Sequence, residues 1–95
     1  MPVVRVQRIS GTVNVDTTRE QTVGTLVFGG LTNVVLDATA FTVAGTYSIF
    51  KYTTFSGGQA ELDANVTFTP PAGFTVVDTR GTNDTTNSRI TVTLA

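Results

Sequence analysis

The stretch from Thr46 to Phe55, TYSIFKYTTF, decides the fold class. Most of its residues are β-branched or aromatic, and such side chains pack well on the pleated surface of a strand. In an extended chain its side chains alternate between two faces, and each face carries aromatic or aliphatic groups. The stretch is therefore predicted to be a long strand with two largely apolar faces.

Two interpretations of these faces are open. A central strand buried within one domain is favoured. The other interpretation packs one face on the core and the other on a neighbouring chain, since aromatic side chains are enriched in interface cores. It nominates Tyr47, Phe50, Tyr52 and Phe55 as contacts with a partner.

The rest of the chain shares this β-forming character. Threonine makes up about a fifth of the 95 residues, and valine is the next commonest. Apolar residues do not recur with helical spacing over more than one turn, and the best helical stretch, 59–65, is too short to be stable alone. The chain is predicted to be one all-β domain.

Gly, Pro and Asn residues divide the chain into short strands. The predicted strands are Val3–Ile9, a short strand around Val13 and Val15, Thr22–Phe28, Leu31–Leu36, Phe41–Val43, Thr46–Phe55, Asn65–Thr69, Phe74–Asp78 and Arg89–Leu94. Gly29-Gly30 and Gly57-Gly58 are predicted to be turns that open no helix. Pro70-Pro71-Ala72-Gly73 is predicted to be the turn of a hairpin.

About eight to nine short strands with frequent turns predict a small β-sandwich, a barrel or a short β-solenoid. Exposed sheet edges must be closed, charged or covered by another chain. Because few strand residues are charged, closure or pairing with a partner is expected.

Composition argues against several function classes. The net charge is −1, with no cluster of basic residues to neutralise phosphates, so nucleic-acid binding is not expected. No apolar run reaches the length of a membrane span. Without Cys or His, there is no disulfide, no thiolate metal site and no usual general base. No cofactor is predicted.

Charged residues are 14% of the chain, well below the roughly 25% typical of globular domains. Such a surface is typical of extracellular or virion proteins and of assemblies with much buried surface. The start, with Met1 present and no basic-then-apolar pattern, predicts a chain made in a cytoplasm without a signal peptide.

Residues 1–10 are predicted to be an arm on a β body of residues 11–95. The arm carries an apolar stripe and a basic face, and its candidate contact residues are Val4, Arg5, Val6 and Arg8. It could add itself as a strand to another subunit. An ordinary first strand of the sheet is the favoured alternative.

From about residue 22 the sequence resembles the β-helical passenger regions of bacterial autotransporters. The resemblance lies in VGTLVF (23–28), FTVAGTYSIFKY (41–52), PAGFTVVD (71–78) and ITVTL (90–94). It implies the last coils of a β-helix. A passenger also has a signal peptide, several hundred residues and a translocator barrel, and this sequence shows none of these.

In size, Thr/Val/Gly-rich composition and intact Met1, the chain also resembles bacteriophage capsid decoration (cement) proteins. Those are small β domains, commonly trimeric, on the outside of the shell. The resemblance implies a homotrimer that binds the major capsid protein at the virion surface, after synthesis in the host cytoplasm.

Two groups of polar residues are candidate sites. Asp78, Asn83, Asp84 and Asn87 could offer oxygen ligands to Ca²⁺, but turn formation is favoured because their spacing matches no calcium loop. Glu61 and Asp63 would share a face if extended, as an acid–base pair would, but a solvated edge is favoured. The sequons at Asn65 and Asn83 are interpreted as chance matches.

The leading hypothesis is therefore a structural, non-catalytic capsid decoration protein. The alternative is a carbohydrate- or receptor-binding module of a fibre or a cell-surface adhesin, in which an exposed Tyr47 or Tyr52 would stack on sugar. An enzyme ranks third.

Overall fold

The computed structural model describes residues 6–95. The chain is mostly β, with six strands in one mixed sheet that does not close on itself, and one short helix. The elements are β1 (Val6–Val15), β2 (Gln21–Leu36), β3 (Gly45–Phe55), α1 (Gly58–Asn65), β4 (Val66–Thr69), β5 (Thr82–Asp84) and β6 (Arg89–Leu94).

The long strand β2 organises the sheet. Along one edge it pairs in parallel with β1. Along the other edge, its first half pairs in parallel with β3 and its second half with β4. The chain thus passes three times over the same path: first as β1, then as β2, and then as β3, α1 and β4.

The core lies beneath these three passes. Buried apolar side chains come from every pass, among them Leu26 and Val34 of β2, Phe50 of β3 and Phe68 of β4. The alternating burial along β2 is the period of two that places every second side chain inside.

The predicted number of strands was wrong because two glycine-containing sites do not end strands. Gly11 lies inside β1 at φ +73°, and Gly29-Gly30 lies inside β2. At this point Ile9 pairs with Phe28 but Gly11 pairs with Thr32, so three residues of β2 oppose one of β1. Such a bulge bends both strands without ending them. The expected boundary between arm and body after residue 10 therefore falls inside β1.

The helix α1 was also not predicted. Its Leu62 is fully buried, so tertiary packing supplies the stability that eight residues lack alone. Gly57, at φ +95°, is its N-cap, and Gly58 is its first residue, so the prediction that this pair opens no helix was wrong.

Two further strand predictions fail, whereas the strands predicted at 46–55 and 89–94 are confirmed as β3 and β6. Residues 41–43 form no strand, because the chain turns after Asp37, whose carbonyl accepts from the N–H groups of Ala40 and Phe41. Residues 74–78 form only a bridge from Val76 to Leu94, so Pro70–Gly73 joins no hairpin. Residues 82–84, where no strand was predicted, form β5.

Candidate functional site

The outer edge of β1 is an end of the sheet, and no strand of residues 6–95 pairs with it. Consecutive residues of a strand direct their main-chain groups to opposite sides. The carbonyl oxygen of Val15 accepts from the N–H of Asp37 at 2.9 Å, on the β2 side. The main-chain groups of Val13 therefore also point toward β2. The N–H and C=O groups of Thr12 and Asn14 point the other way, away from the sheet.

This edge carries few of the features that normally prevent strand pairing. Proteins protect edges by short strands, charged side chains and proline. β1 is 10 residues long, has Arg8 as its one charged residue and contains no proline. By contrast, β5 at the other end of the strand order has 3 residues, one of them Asp84.

The apolar core reaches this edge. Ile9 is 7% exposed, and Val13 and Val15 are partly buried against the core cluster. The side chains of Arg8, Ser10, Thr12 and Asn14 between them are exposed. β1 thus presents an apolar inner face, a polar outer face and a row of unpaired main-chain groups.

The opposite end of the three passes is covered by the last part of the chain. β6 pairs antiparallel with β3. Thr75 and Ala95 exchange two main-chain hydrogen bonds of 3.0 and 2.9 Å, and the N–H of Phe68 in β4 donates to the carbonyl of Thr79 at 2.7 Å. Within residues 6–95, the β1 end of the three passes therefore has no strand partner, whereas at the other end β6 covers β3 and the bond from Phe68 joins β4 to the last part of the chain.

Phe50, a predicted partner contact, is buried in the core at 1% exposure. The alternation expected for Tyr47 to Phe55 breaks at a bulge between Ser48 and Phe50, which places Ile49 and Phe50 inward together. β3 is a central strand between β2 and β6. The prediction that Phe50 contacts another chain was wrong, because its side chain is buried within its own domain.

The other three aromatic candidates on β3 are partly buried and in contact with neighbouring rings. Tyr47 packs edge-on against Phe41 at 5.0 Å between ring centroids, and its hydroxyl donates to the carbonyl of Val43. Tyr52 packs against Phe55 at 5.4 Å, and Phe55 packs edge-on against Phe28 at 5.7 Å. Through these contacts, the rings of Tyr47, Tyr52 and Phe55 pack against other residues of the same domain.

The surroundings of Tyr52 alter the acidity of its hydroxyl. Its hydroxyl donates to Oδ1 of Asn83, which ties β3 to β5. Burial raises the pKa of Tyr52 above 10.0; the bond to Asn83 opposes this shift, and the nearby charge of Asp84 adds to it. The folded state therefore prefers the neutral phenol.

This preference predicts alkaline destabilisation. Because the pKa of Tyr52 is raised on folding, its contribution to stability is complete below the unfolded-state pKa and is lost as the pH rises through the folded-state value. We expect the free energy of unfolding to fall between about pH 9 and about pH 11, and to fall less in Tyr52→Phe. Urea unfolding at both pH values measures this, with Tyr47→Phe as the control; equal falls in wild type and Tyr52→Phe would contradict it.

The N-terminal candidates lie only partly within the described residues. Val4 and Arg5 lie outside them. Val6 begins β1 and pairs with Thr25 through the main chain, and Arg8 pairs with Val27 and has an exposed side chain. Residues 6–10 thus form part of an ordinary first strand of the sheet, as the favoured interpretation held.

The polar residues near β5 form turns. Asp78 accepts from the N–H of Arg80 at 3.0 Å, and Asp84 accepts from the N–H of Thr86 at 3.1 Å and from Nδ2 of Asn87 at 2.8 Å. The bonds that Asp84 accepts from Asn87 and Thr86 lower the pKa of its carboxyl. Asn83 faces Tyr52 instead. The contacts are those of turn formation, the interpretation that the spacing favoured.

Glu61 and Asp63 do not share a face, because they lie on α1 and residues two apart on a helix point in different directions. Glu61 accepts from Nδ2 of Asn65 at 2.9 Å, and Asp63 accepts from Nε2 of Gln59 at 3.0 Å. The shared face was predicted for an extended chain, and that condition is not met because the segment is helical.

The structure brings together one ionic cluster that the sequence did not indicate. Nε of Arg89 lies 2.9 Å from Oε2 of Glu20, and the same oxygen accepts from the hydroxyl of Ser48. The cluster joins the β1–β2 loop to β3 and β6. No sequence signal marks it, since its members are 28 to 69 positions apart and only the fold brings them together.

A shallow cleft of about 340 Å³ lies beside the bend of β1, between Gly11, Leu31 and Asn65. Its seven lining residues carry no charge, and Leu31 is 78% exposed. Among the residues described, no three or more acidic side chains are grouped as metal ligands, and no helix is long and apolar enough to cross a membrane. The cleft offers polar and apolar contact but no acid or base.

Comparisons with protein-family models, with curated proteins and with solved structures find no match to this chain. The case for a function therefore depends on the edge of β1 and its surroundings.

Proposed function

We propose that this chain is a structural protein that acts by joining other chains, and specifically a bacteriophage capsid decoration protein on the outside of the shell. The observation that carries the proposal is the outer edge of β1, which is long, nearly uncharged and unpaired within residues 6–95. Such an edge is a template for pairing with another chain.

In this proposal the three stacked passes are a short β-solenoid with one open end. Strand addition at β1 satisfies the outward N–H and C=O groups of Thr12 and Asn14, and it covers the side of the core formed by Ile9, Val13 and Val15. Many copies, each bound weakly, would reinforce the shell through multivalent attachment to the major capsid protein.

The carbohydrate-binding alternative has less support. Stacking on sugar needs an aromatic face that is open to the ligand. Tyr47 and Tyr52 are partly buried, each packs against another ring, and each hydroxyl bonds within the domain. Catalysis also lacks support, because the carboxylates of Glu20, Asp78 and Asp84 are engaged in ionic or turn contacts.

Co-sedimentation with empty phage shells, assembled from a major capsid protein, tests the proposal. We expect wild type to sediment with the shells. Asn14→Pro removes an outward N–H and should weaken binding to the shells by about tenfold or more. Strand pairing at the edge of β1 and the avidity that depends on it are lost together. The control Thr42→Pro places a proline at an exposed residue outside the strands and should bind like wild type.

Wild type that stays in the supernatant at all shell concentrations would refute the decoration role. Asn14→Pro that is folded and binds as tightly as wild type would show that the edge of β1 takes no part.

A further inference from the structure

We infer that the chain on the open edge of β1 is a second copy of this protein, with its own β1 antiparallel to the first about a twofold axis at Gly11. The inference rests on the proposed role of this edge as an assembly surface, and it names a second copy as the chain that pairs there. Because that pairing occupies the edge, the dimer would attach to the shell through its other surfaces.

The sequence of β1 is self-complementary about Gly11. In an antiparallel pair centred there, Ser10 lies opposite Thr12 of the other copy, Ile9 opposite Val13, and Arg8 opposite Asn14. Opposed residues lie on the same face of a sheet. The apolar pair therefore continues the buried face across the interface, and both polar pairs lie on the exposed face.

Charge disfavours one alternative register. Arg8 is the one charged residue of β1, and in the proposed register it faces the neutral amide of Asn14. A pair centred on Arg8 would place two guanidinium groups directly opposite, which is destabilising.

The bend of β1 fits a twofold axis at the same residue. Gly11 is at φ +73° beside the bulge, and an added Cβ there would meet nothing within 4 Å. On either side, residues 6–9 pair with 25–28 and residues 11–15 with 32–36 of β2. A twofold axis that bisects the bend exchanges these two halves of β1 between the copies, so both halves stay paired along the bent strand.

The difference between the two ends of the stack sets the size of the assembly. A head-to-tail contact would pair β1 with a different edge; within residues 6–95, β3 is already paired with β6, and the N–H of Phe68 in β4 already donates to the carbonyl of Thr79. A contact of β1 with β1 uses the same patch on both copies, and such a contact closes at two. A dimer thus replaces the trimer expected from resemblance.

Sedimentation velocity of the full chain across a range of concentrations tests the inference. We expect wild type and Thr42→Pro to shift from monomer to dimer as concentration rises, and Asn14→Pro to stay monomeric. Wild type that remains monomeric at every concentration, or that forms a trimer, overturns the inference.

Cysteine crosslinking tests the register without relying on Asn14→Pro. The chain has no Cys, so Ser10→Cys and Thr12→Cys each introduce a single thiol. In the proposed pair these two positions lie directly opposite, about 5.5 Å apart between Cα atoms, which is within disulfide reach. Under mild oxidation, an equal mixture of the two variants should form more crosslinked dimer than either alone. A mixture that crosslinks no more than the single variants overturns the register.

The two proposals fail in different ways. A wild-type monomer that still binds shells overturns the dimer and leaves the decoration role standing. A dimer with the predicted crosslink that ignores shells overturns the decoration role and leaves the β1 pairing standing.

Discussion

Phe50→Ala is expected to lower the free energy of unfolding by about 3–5 kcal/mol. The ring is 1% exposed and packs edge-on against Phe28 at 6.3 Å. Its main chain lies opposite Gln21 of β2 and Ile90 of β6. The truncation therefore leaves a cavity where three strands meet. A domain of this size has about 5–14 kcal/mol in total, so the loss is a large share.

Urea unfolding followed by far-ultraviolet circular dichroism measures this loss. Thr54→Ala is the control, since Thr54 is an exposed residue of the same strand and its substitution should change stability by no more than about 0.5 kcal/mol. A loss below about 1 kcal/mol for Phe50→Ala would contradict the burial of β3 between β2 and β6.

Gly81→Ala is expected to destabilise the domain far more than Gly73→Ala. Both glycines have positive φ, +77° and +90°, so each alanine incurs a backbone penalty of about 1–2 kcal/mol. At Gly81 the new Cβ would also lie 2.5 Å from Cε2 of Phe68, a buried ring, whereas at Gly73 it would meet nothing within 4 Å. Overpacking of a core adds about 1–3 kcal/mol.

The difference between the two alanine variants isolates the contact with Phe68, because the backbone penalty is common to both. Thermal and urea unfolding should rank stability as wild type, then Gly73→Ala, then Gly81→Ala. Equal stabilities for the two variants would show that the chain after β4 does not pack Gly81 against Phe68.

The strands that the sequence located correctly are those with strong local patterns. β3 carries a dense run of aromatic and β-branched residues, and β6 alternates Ile90, Val92 and Leu94 on its buried face. Local spacing is enough to find such strands, because each residue's preference agrees with its final position.

The errors arose where tertiary contacts override local preference. Gly29-Gly30 continues β2 because β1 and β4 pair with the residues around it, so a pair that usually marks a turn forms a bulge instead. The segment 59–65 is helical because Leu62 enters the core. No window of local sequence contains these partners.

Only part of the candidate site could be predicted from the sequence. The apolar stripe of the first strand was visible in the sequence, and it indicated a strand suited to pairing. That the outer edge of β1 has no partner within residues 6–95 depends on the strand order, which the sequence left open. Strict alternation left open which face of Thr46–Phe55 packs on the core, and the bulge between Ser48 and Phe50 places Phe50 inside.

Hydrogen–deuterium exchange of the Thr12 and Asn14 amides tests the central claim, that the edge of β1 is an assembly surface, most directly. These two N–H groups point away from the sheet, so they should exchange rapidly in dilute protein, with no strand to protect them. As concentration rises, pairing should slow their exchange, while the amide of Val13, directed toward β2, should be protected throughout. Thr12 and Asn14 amides that exchange equally fast at every concentration would contradict the claim.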